Sequence, residues 1–367
     1  MNASDHFKSW WQQALVGVMF VVFVFLSAGT KAAETKPNII FVMVDDLGYG
    51  DLGSYGQKRI KTPVLDQMAK EGIRFTDFYA GSTVCAPSRC VLMTGYHTGH
   101  CFIRGNGKDN LRPSDVTVAE VLKASGYRTG LYGKWGLGHE GSSGLPTRQG
   151  FDYYLGVPYS DDMTHATGQR IGDRMRGKHW PPLPLMENEK VIEAPVDRNT
   201  LTRRETEAAI KFIAENKENP FFLYLPQAMP GSTRAPFASK AFRSKSKNGP
   251  WGDSIEELDW STGEILKALK KHGLDKKTLV LWTSDNGAPR RTPPQGSNLP
   301  LGGWGYTTAE GGMRVPAIIH WPGSILADST SDELSSLMDL LPTFAQLAGA
   351  KLPARKLDGK NIWPLWS

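Results

Sequence analysis

The sequence predicts an α/β fold built around a large, mainly parallel β-sheet with helices on both faces. Its 367 residues are 40% hydrophobic and 22% charged, a composition typical of one large α/β domain or two smaller ones. The strand-like segments are continuous apolar runs, as expected of strands buried on both faces. Helix-like segments alternate with these runs, and such alternation favours a parallel sheet covered by helices.

The first helix and strands are predicted from their boundary residues. A strand is predicted from Asn38 to Val44, where apolar and β-branched residues follow one another. A helix comes next, with Thr62 as N-cap, Pro63 in its first turn and Gly72 at its end, followed by a strand at 73–78. The same alternation predicts helices at 116–125, 205–215 and 254–272 and strands at 127–132, 221–225 and 278–283.

Side chains with oxygen ligands follow two of these strands. Asp45 and Asp46 come directly after the first strand, and Asp285 and Asn286 come after the strand at 278–283. Because ligands of parallel sheets bind beyond the carboxyl ends of the strands, we expect these side chains to meet at one edge. Together they suit Ca²⁺ or Mg²⁺, although each pair taken singly is also a good turn sequence.

The N-terminal segment has the layout of a signal peptide. An apolar run from Ala14 to Ala28 follows a short segment that contains Lys8, and small residues after the run offer cleavage points. The run is short for a membrane span, which needs about 20 apolar residues. We predict a signal peptide at 1–33 and an exported body at 34–367, secreted or periplasmic, with an uncleaved membrane anchor as the alternative.

Net charge and cysteine content indicate which substrates suit the protein and whether disulfides build its fold. The formal net charge is +6, and a mildly basic surface suits anionic substrates. Cys85, Cys90 and Cys101 are too few for a disulfide scaffold, and an odd count in an exported chain indicates that one of them has chemistry of its own. The other two can either form a disulfide or remain buried thiols.

A five-residue motif carries the most specific signal in the chain. Residues 85–89 read Cys-Ala-Pro-Ser-Arg, and Leu-Met-Thr-Gly follows at 92–95. This pattern resembles the signature of the sulfatase family, and it outweighs the usual interpretation of a lone cysteine as a structural thiol. The resemblance runs from Pro37 to about Leu365 and implies an alkaline-phosphatase-like fold. Its supporting segments are PNIIFVMVDDLGYGDLGSYG, TPVLDQMAKEGIRFTDFYA, GYRTGLYGKW, LVLWTSDNG and AEGGMRVPAIIHWPG.

The resemblance implies a catalytic site and a reaction. In such enzymes a maturation enzyme converts the signature cysteine, here Cys85, to formylglycine, whose hydrate attacks the sulfur of an aryl or carbohydrate sulfate. Arg89 is implied to stabilise that hydrate, and Lys134 is implied to contact the sulfate; by themselves, basic residues are usually solvated surface charges. One divalent cation, Ca²⁺ or alternatively Mg²⁺, is implied at Asp45, Asp46, Asp285, Asn286 and residue 85.

Three positions depart from the family pattern, and each loses an acid–base group. Gly136 and Gly231 stand where many relatives have histidine, and Trp304 stands where they have lysine. General acid–base assistance contributes about 10²- to 10⁴-fold in rate, so we expect another histidine to have taken the role. His139 is preferred to His165 because it lies on the same predicted loop as the lysine of Gly-Lys-Trp. A histidine picked singly is more often structural.

Two further side chains are candidates for substrate binding. Ser160 matches a segment that supplies a substrate-facing serine in arylsulfatase relatives, with a turn role as the alternative. Trp304 lies on a glycine-rich loop and serves either as a sugar-stacking surface or in packing. We expect the family's small C-terminal subdomain to be missing from a truncated chain, with Trp363 and Trp366 leaving apolar surface at its end.

The sequence therefore predicts a sulfuric ester hydrolase whose catalytic domain spans 34–367. Its expected partners are a sulfated small molecule or glycan and the maturation enzyme. Two alternatives stay open. One is a phosphoryl or phosphonate hydrolase of the same superfamily, which the complete signature motif disfavours. The other is a sulfoglycan-binding protein without turnover, which the missing histidines favour and the intact acidic set disfavours.

Overall fold

A ten-stranded sheet runs through the computed structural model, which describes residues 36–164, 180–233, 235–292 and 294–366. The segment predicted as a signal peptide and His165 lie outside the described residues. The described residues form the following strands, of which β3 and β12 lie outside this sheet: β1 (Asn38–Asp45), β2 (Ile73–Phe75), β3 (Phe78–Tyr79), β4 (Arg128–Tyr132), β5 (Tyr153–Gly156), β6 (Leu185–Glu187), β7 (Lys190–Glu193), β8 (Phe221–Pro230), β9 (Thr278–Ser284), β10 (Ala317–His320), β11 (Ser329–Ser331) and β12 (Ser335–Ser336).

The strand order in this sheet is β11-β2-β10-β9-β1-β8-β4-β5-β6-β7. Strand β1 lies between β9 and β8 and is parallel to both, and β4 is parallel to β8 and β5. Towards the edges, β10 is antiparallel to β9 and β2, and β6 is antiparallel to β5 and β7. The predicted α/β fold with a mainly parallel sheet is confirmed, with antiparallel strands added outside the parallel centre.

Helices cover both faces of the sheet. They are α1 (Pro63–Lys70), α2 (Cys85–Thr94), α3 (Val118–Ala124), α4 (Leu201–Glu215), α5 (Gly249–Lys271), α6 (Glu310–Met313) and α7 (Leu340–Ala348). Because successive side chains of a strand point to opposite faces, Ile39, Phe41 and Met43 pack with α2, α3 and α7, whereas Ile40, Val42 and Val44 pack with α1, α4 and α5. Strand β1 is thus buried on both faces.

The prediction of one continuous strand at 73–78 is wrong, because the structure has two short strands there. The chain bends at Thr76 and Asp77, where Asp77 forms an ion pair of 2.9 Å with Arg314, and the segment divides into β2 and β3. Strand β3 leaves the large sheet and pairs with β12. Helices α4 and α5 begin earlier than predicted; a proline in the first turn of α5 suits that start.

No helix among the described residues combines the length and apolar character that crossing a membrane would require.

The last described residues pack against the rest of the chain. Trp366 is 2% exposed and belongs to the core, and the ring of Trp363 packs against Trp366 and Trp321. The expectation that both tryptophans leave apolar surface is wrong for Trp366, because the chain folds its last described turn back onto the core.

Candidate active site

The ends of β1 and β9 bring four side chains with oxygen ligands together. The two strands are parallel neighbours, and Val44 lies beside Ser284 in the register, so the residues after each strand leave the sheet at the same edge. Asp45, Asp46 and Asp285 meet there with Cys85, with one ligand atom from each within 4.8 Å of the others. These side chains and that of Asn286 are buried. We call the five residues Asp45, Asp46, Cys85, Asp285 and Asn286 the acidic cluster.

Asp46 is held in place from three sides. Its φ angle is +63°, in the left-handed region that a short polar side chain tolerates best. Asn286 Nδ2 donates to its Oδ1 at 2.5 Å, while Tyr306 OH and Ser232 Oγ donate to its Oδ2 at 2.5 and 2.8 Å. Tyr306 and Ser232 were not among the predicted site residues, and the position of Tyr306 two residues after Trp304 is a weak signal that could have drawn attention to it.

Cys85 begins helix α2, which the sequence analysis did not predict. Pro87 is tolerated because it lies in the first helical turn, where its missing N–H would have no helical partner. Ser88 Oγ donates to the backbone carbonyl of Asp285 at 2.6 Å and accepts from the backbone N–H of Gly81 at 3.0 Å. This serine therefore fixes the start of the helix, and with it Cys85, against the acidic cluster.

Arg89 lies one turn further along α2 and is fully buried. Its Nε and Nη2 donate to Oδ2 of Asp285 at 3.0 and 2.8 Å, and Nη2 also lies 3.2 Å from Oδ1 of Asp45. Its Nη1 donates to the backbone carbonyl of Lys134 at 2.6 Å. The planar guanidinium thus joins the ends of β1 and β9 and the loop after β4, a geometry that a lysine could not reproduce.

Lys134 supplies the second buried cation. Its backbone N–H donates to the carbonyl of Pro226, which places the residue at the end of β4 beside β8. Its Nζ donates to Oδ1 of Asp45 at 2.5 Å, and its side chain is 1% exposed. Because an ammonium group has three donors, this contact leaves Lys134 with further N–H groups for a bound anion.

The charges of the cluster are strongly coupled. Burial would raise the pKa of Asp45, but the Lys134 and Arg89 cations outweigh burial and lower that pKa to about 2. Burial and repulsion by Asp45 raise the pKa of Asp285 to about 8 and also raise the pKa of Asp46. Burial, followed by repulsion from Asp45, raises the pKa of the Cys85 thiol. An unmodified Cys85 is therefore a protonated thiol, which is a poor nucleophile.

The cluster has the chemistry of a site for a hard divalent cation. Oδ2 of Asp45 and Oδ1 of Asn286 are buried and have no hydrogen-bond partner in the described part of the chain. Such orphaned oxygens are costly unless something binds them. Burial, and after it repulsion by Asp45, raises the pKa values of Asp46 and Asp285, and a divalent cation would offset both effects. The residues present therefore fit Ca²⁺ or Mg²⁺.

Comparison with protein-family models assigns this site to a family. The sulfatase model matches residues 37–350, which include the whole cluster. The chain belongs to the sulfatase family. Arylsulfatase A of Homo sapiens is 41% identical over 360 residues, covering 93% of this chain and 69% of that protein. N-acetylgalactosamine-6-sulfatase of Rattus norvegicus is 37% identical over 377 residues, covering 96% of this chain and 69% of that protein.

Solved structures agree with this assignment. The sulfatase resembles Ps i-CgsB in complex with k-i-k-neocarrahexaose, at 31% identity and a TM-score of 0.75 over 90% of this chain and 76% of that one. It also resembles the PsFucS1 sulfatase from Pseudoalteromonas sp., at 30% identity and a TM-score of 0.77 over 89% of this chain and 70% of that one. The protein is therefore an enzyme, a sulfuric ester hydrolase with the fold that its sequence predicts.

The sulfatase cannot accommodate a histidine at position 231 without rearrangement. Gly231 has a φ of +70°, and a Cβ there would lie 2.7 Å from the carbonyl oxygen of Ala228 and 2.9 Å from Oδ1 of Asp161. Both carboxylate oxygens of Asp161 are buried without a hydrogen-bond partner among the described residues, and Arg198 Nη1 lies 3.6 Å from one of them. A carboxyl group that the sequence analysis did not select thus borders the position of the missing imidazole.

The remaining predicted site residues, Ser160, His139 and Trp304, lie outside the acidic cluster. Ser160 is buried, and its hydroxyl has no hydrogen-bond partner in the described ranges. The ring of His139 contacts the carbonyl of Glu140 and lines a cavity of about 260 Å³ with Tyr159, the neighbour of Ser160. Trp304 is half-buried and lines a separate groove, whereas Tyr306, on the same loop, reaches the cluster.

The other two cysteines of the sulfatase do not pair. Cys90 and Cys101 are buried free thiols, the second of the two alternatives left by the sequence. The thiol of Cys101 lies 3.1 Å from the backbone carbonyl of Tyr96, to which it donates. Both residues belong to the hydrophobic core on the α2 side of the sheet, which distinguishes them from Cys85 in the cluster.

Proposed function

We propose that this sulfatase hydrolyses a carbohydrate sulfate, with residue 85 in its formylglycine form as the nucleophile and one divalent cation in the acidic cluster. The observation that carries the proposal is the convergence of Cys85 with Asp45, Asp46 and Asp285 within 4.8 Å, beside buried Arg89 and Lys134. A sulfate ester resists attack because its oxygens are negatively charged, so its hydrolysis needs the positive charge that Arg89, Lys134 and a bound cation would supply.

Asp45, Asp46, Asp285 and Asn286 would hold the cation. Ca²⁺ is favoured over Mg²⁺ because the donors are all protein oxygens, whereas Mg²⁺ usually keeps several waters. The bound ion would withdraw charge from the sulfate oxygens. The hydrated aldehyde of formylglycine would supply an oxygen nucleophile where the protonated thiol of Cys85 is a poor one.

The two buried cations have different tasks in this proposal. Arg89 already donates to Asp285, Asp45 and the carbonyl of Lys134, so it holds the strand ends and the start of α2 in register and keeps residue 85 in place. Lys134 has free donors beside Asp45 and would bind a sulfate oxygen as negative charge develops on it. Ser160 would contact the substrate from the neighbouring loop.

A sulfated glycan with galactose-type sugars is the favoured substrate class. Two proteins that this chain resembles support this class. The solved structure of Ps i-CgsB contains a neocarrahexaose, and the other protein is named N-acetylgalactosamine-6-sulfatase. Export to the periplasm or medium, through the predicted signal peptide, suits a polymeric substrate. A flat aryl or steryl sulfate is the second candidate, supported by the similarity to arylsulfatase A and to the steryl-sulfatase of Mus musculus, which is 34% identical.

The remaining alternatives have weaker support. Similarity to a phosphonate monoester hydrolase of Agrobacterium radiobacter, at 20% identity and a TM-score of 0.64, concerns the fold alone. The complete acidic cluster with Cys85 disfavours a binding protein without turnover. Parallel assays with nitrophenyl sulfate and nitrophenyl phosphate, joined to mass spectrometry of the peptide with residue 85, test the proposal. Unmodified cysteine in a preparation that hydrolyses nitrophenyl sulfate would overturn the proposed nucleophile.

A further inference from the structure

A groove outside the acidic cluster has the features of a polysaccharide-binding site. It has a volume of about 900 Å³ and is lined by two loops, residues 50–60 and 294–304, together with Asn248. None of its described lining residues belongs to the cluster, to Lys134 or to Ser160. We call it the Trp304 groove, after the tryptophan that lines it.

The two loops are tied to each other and to the active site. The backbone N–H of Gly50 donates to the carbonyl of Ser297. In return, the backbone N–H of Ser297 donates to Oδ1 of Asp51. Asn298 Nδ2 donates to the carbonyl of Ala288 at 2.9 Å, which anchors the second loop beside Asn286. The same loop continues to Tyr306, which contacts Asp46. The groove is therefore preformed and adjoins the loop that completes the cluster.

The lining combines apolar surface with positive charge. Leu299 is 72% exposed and lies in the lining with Pro300 and the half-buried Trp304. Lys58 and Arg59 are exposed in the other loop. The one acidic residue in the described lining is Asp51, which is buried and accepts from backbone N–H groups, so it contributes no exposed negative charge.

This combination fits one class of ligand. A galactose-type ring presents a continuous C–H face; the tryptophan ring offers a flat apolar surface to such a face, and the exposed leucine adds apolar contact area. Sulfate groups on the same polymer carry the charge that Lys58 and Arg59 would neutralise. A neutral glycan would leave the two cations unused, and a nonpolar sterol would leave them desolvated without a partner.

We propose that the Trp304 groove binds the sugars of a sulfated galactose-type oligosaccharide that extends beyond the residue under hydrolysis. This inference rests on the proposed function and names a second contact region for its substrate. Trp304 and Leu299 contact the sugar faces, and Lys58 and Arg59 contact the sulfates. The groove thereby contributes to affinity for chains without contacting the reacting atoms.

Calorimetric binding of a κ-carrageenan hexasaccharide and of its desulfated counterpart to the full protein tests this inference. We expect Trp304→Ala and the double variant Lys58→Ala/Arg59→Ala each to weaken binding of the sulfated chain about tenfold, which is readily measured. Lys356→Ala removes an exposed lysine outside the groove and should change nothing. Trp304→Phe, which keeps an aromatic surface, should retain part of the affinity.

Nitrophenyl sulfate separates the groove from the active site. This small ester lacks the further sugars that the groove would bind, so kcat/KM for it should be unchanged in Lys58→Ala/Arg59→Ala and in Lys356→Ala. Undiminished binding of the sulfated hexasaccharide by both groove variants, or equal binding of the desulfated chain by the wild type, would overturn the inference. If the wild type binds the hexasaccharide but hydrolyses neither it nor nitrophenyl sulfate, the proposed function fails and the groove stands.

Discussion

The Nζ atom of Lys134 lies 2.5 Å from Oδ1 of Asp45, and both side chains are buried. The pair joins the ends of β4 and β1, two strands that are separated in the sheet by β8. Because Oδ1 of Asp45 is occupied by Lys134 and Arg89, its Oδ2 remains without a hydrogen-bond partner among the described residues. One carboxylate thus orients with one oxygen the lysine that we propose to bind sulfate, and its other oxygen is available to the proposed cation.

Removal of the cation should destabilise the enzyme measurably. A ligand present at about 100 times its Kd stabilises the native state by about 2.7 kcal/mol, so a chelator should lower Tm and added Ca²⁺ should restore it. Asp46→Asn should abolish most of this response in differential scanning calorimetry. Asp109→Asn, at an exposed acid outside the cluster, is the control. An identical chelator effect in both variants would argue against cation binding by the cluster.

The nucleophile can be tested within one helix. Cys85→Ala should abolish hydrolysis of nitrophenyl sulfate, because no side chain remains to attack the sulfur. Cys90→Ala removes another buried thiol of α2 and should retain turnover, with a loss of stability of about 1 kcal/mol from the cavity. Rates and thermal unfolding of both variants should be measured together. Full turnover by the Cys85 variant would eliminate the proposed mechanism.

The sequence-based prediction that His139 supplies a proton to the leaving group remains open to test. An alkoxide needs that proton, whereas nitrophenolate leaves unaided. We expect His139→Ala to lower turnover of a sugar sulfate by about 10²-fold or more and to change turnover of nitrophenyl sulfate little. His272→Ala, at a half-buried histidine that follows α5, serves as the control. Equal losses on both substrates would indicate a structural role for His139.

Restoring a side chain at position 231 should cost stability. Gly231→Ala combines a positive φ with close approach to Ala228 and Asp161. Gly273→Ala is a matched control, because its φ is +66° and no atom lies within 4 Å of the added Cβ. The control should lose about 1 kcal/mol and Gly231→Ala clearly more, as measured by chemical unfolding. Equal losses would show that Asp161 moves away at little cost.

Glu205 should make stability fall as the pH rises. Its side chain is fully buried, and burial, only partly offset by Arg89 and Arg204, raises its pKa from 4.5 to about 8. Between pH 4.5 and about pH 8 the unfolded chain releases the proton of Glu205 that the folded chain keeps, so the free energy of unfolding falls as the pH rises. This loss of stability is complete above about pH 8.

Glu205→Gln removes that titration and keeps the shape of the side chain. Each unit of pKa difference corresponds to about 1.4 kcal/mol, so the variant should gain roughly 2 kcal/mol or more over the wild type at pH 8 and nothing at pH 4.5. Unfolding curves at the two pH values measure the difference. Glu218→Gln, at an exposed position, should show no such change. A constant difference between Glu205→Gln and the wild type would contradict the raised pKa.

Much of the fold and the centre of the site could be predicted from the sequence. The run at 38–44 reads as a doubly buried strand because every side chain in it is apolar, and β1 is such a strand. Asp45 and Asp285 could be placed at one edge because parallel strands share their carboxyl ends. The motif at 85–89 predicted the family because its residue types and order are specific.

Only the tertiary structure decided how the rest of the site is assembled. Helix α2 was not predicted because its first turn contains Pro87 and no side-chain cap, and its start depends on Ser88 bonding to the distant Asp285. Tyr306 and Asp161 reach the cluster region from loops whose paths are set by packing, and no local pattern encodes such long-range contacts. Sequence thus determined the strands and the signature cysteine through local chemistry, whereas non-local contacts determined which side chains surround them.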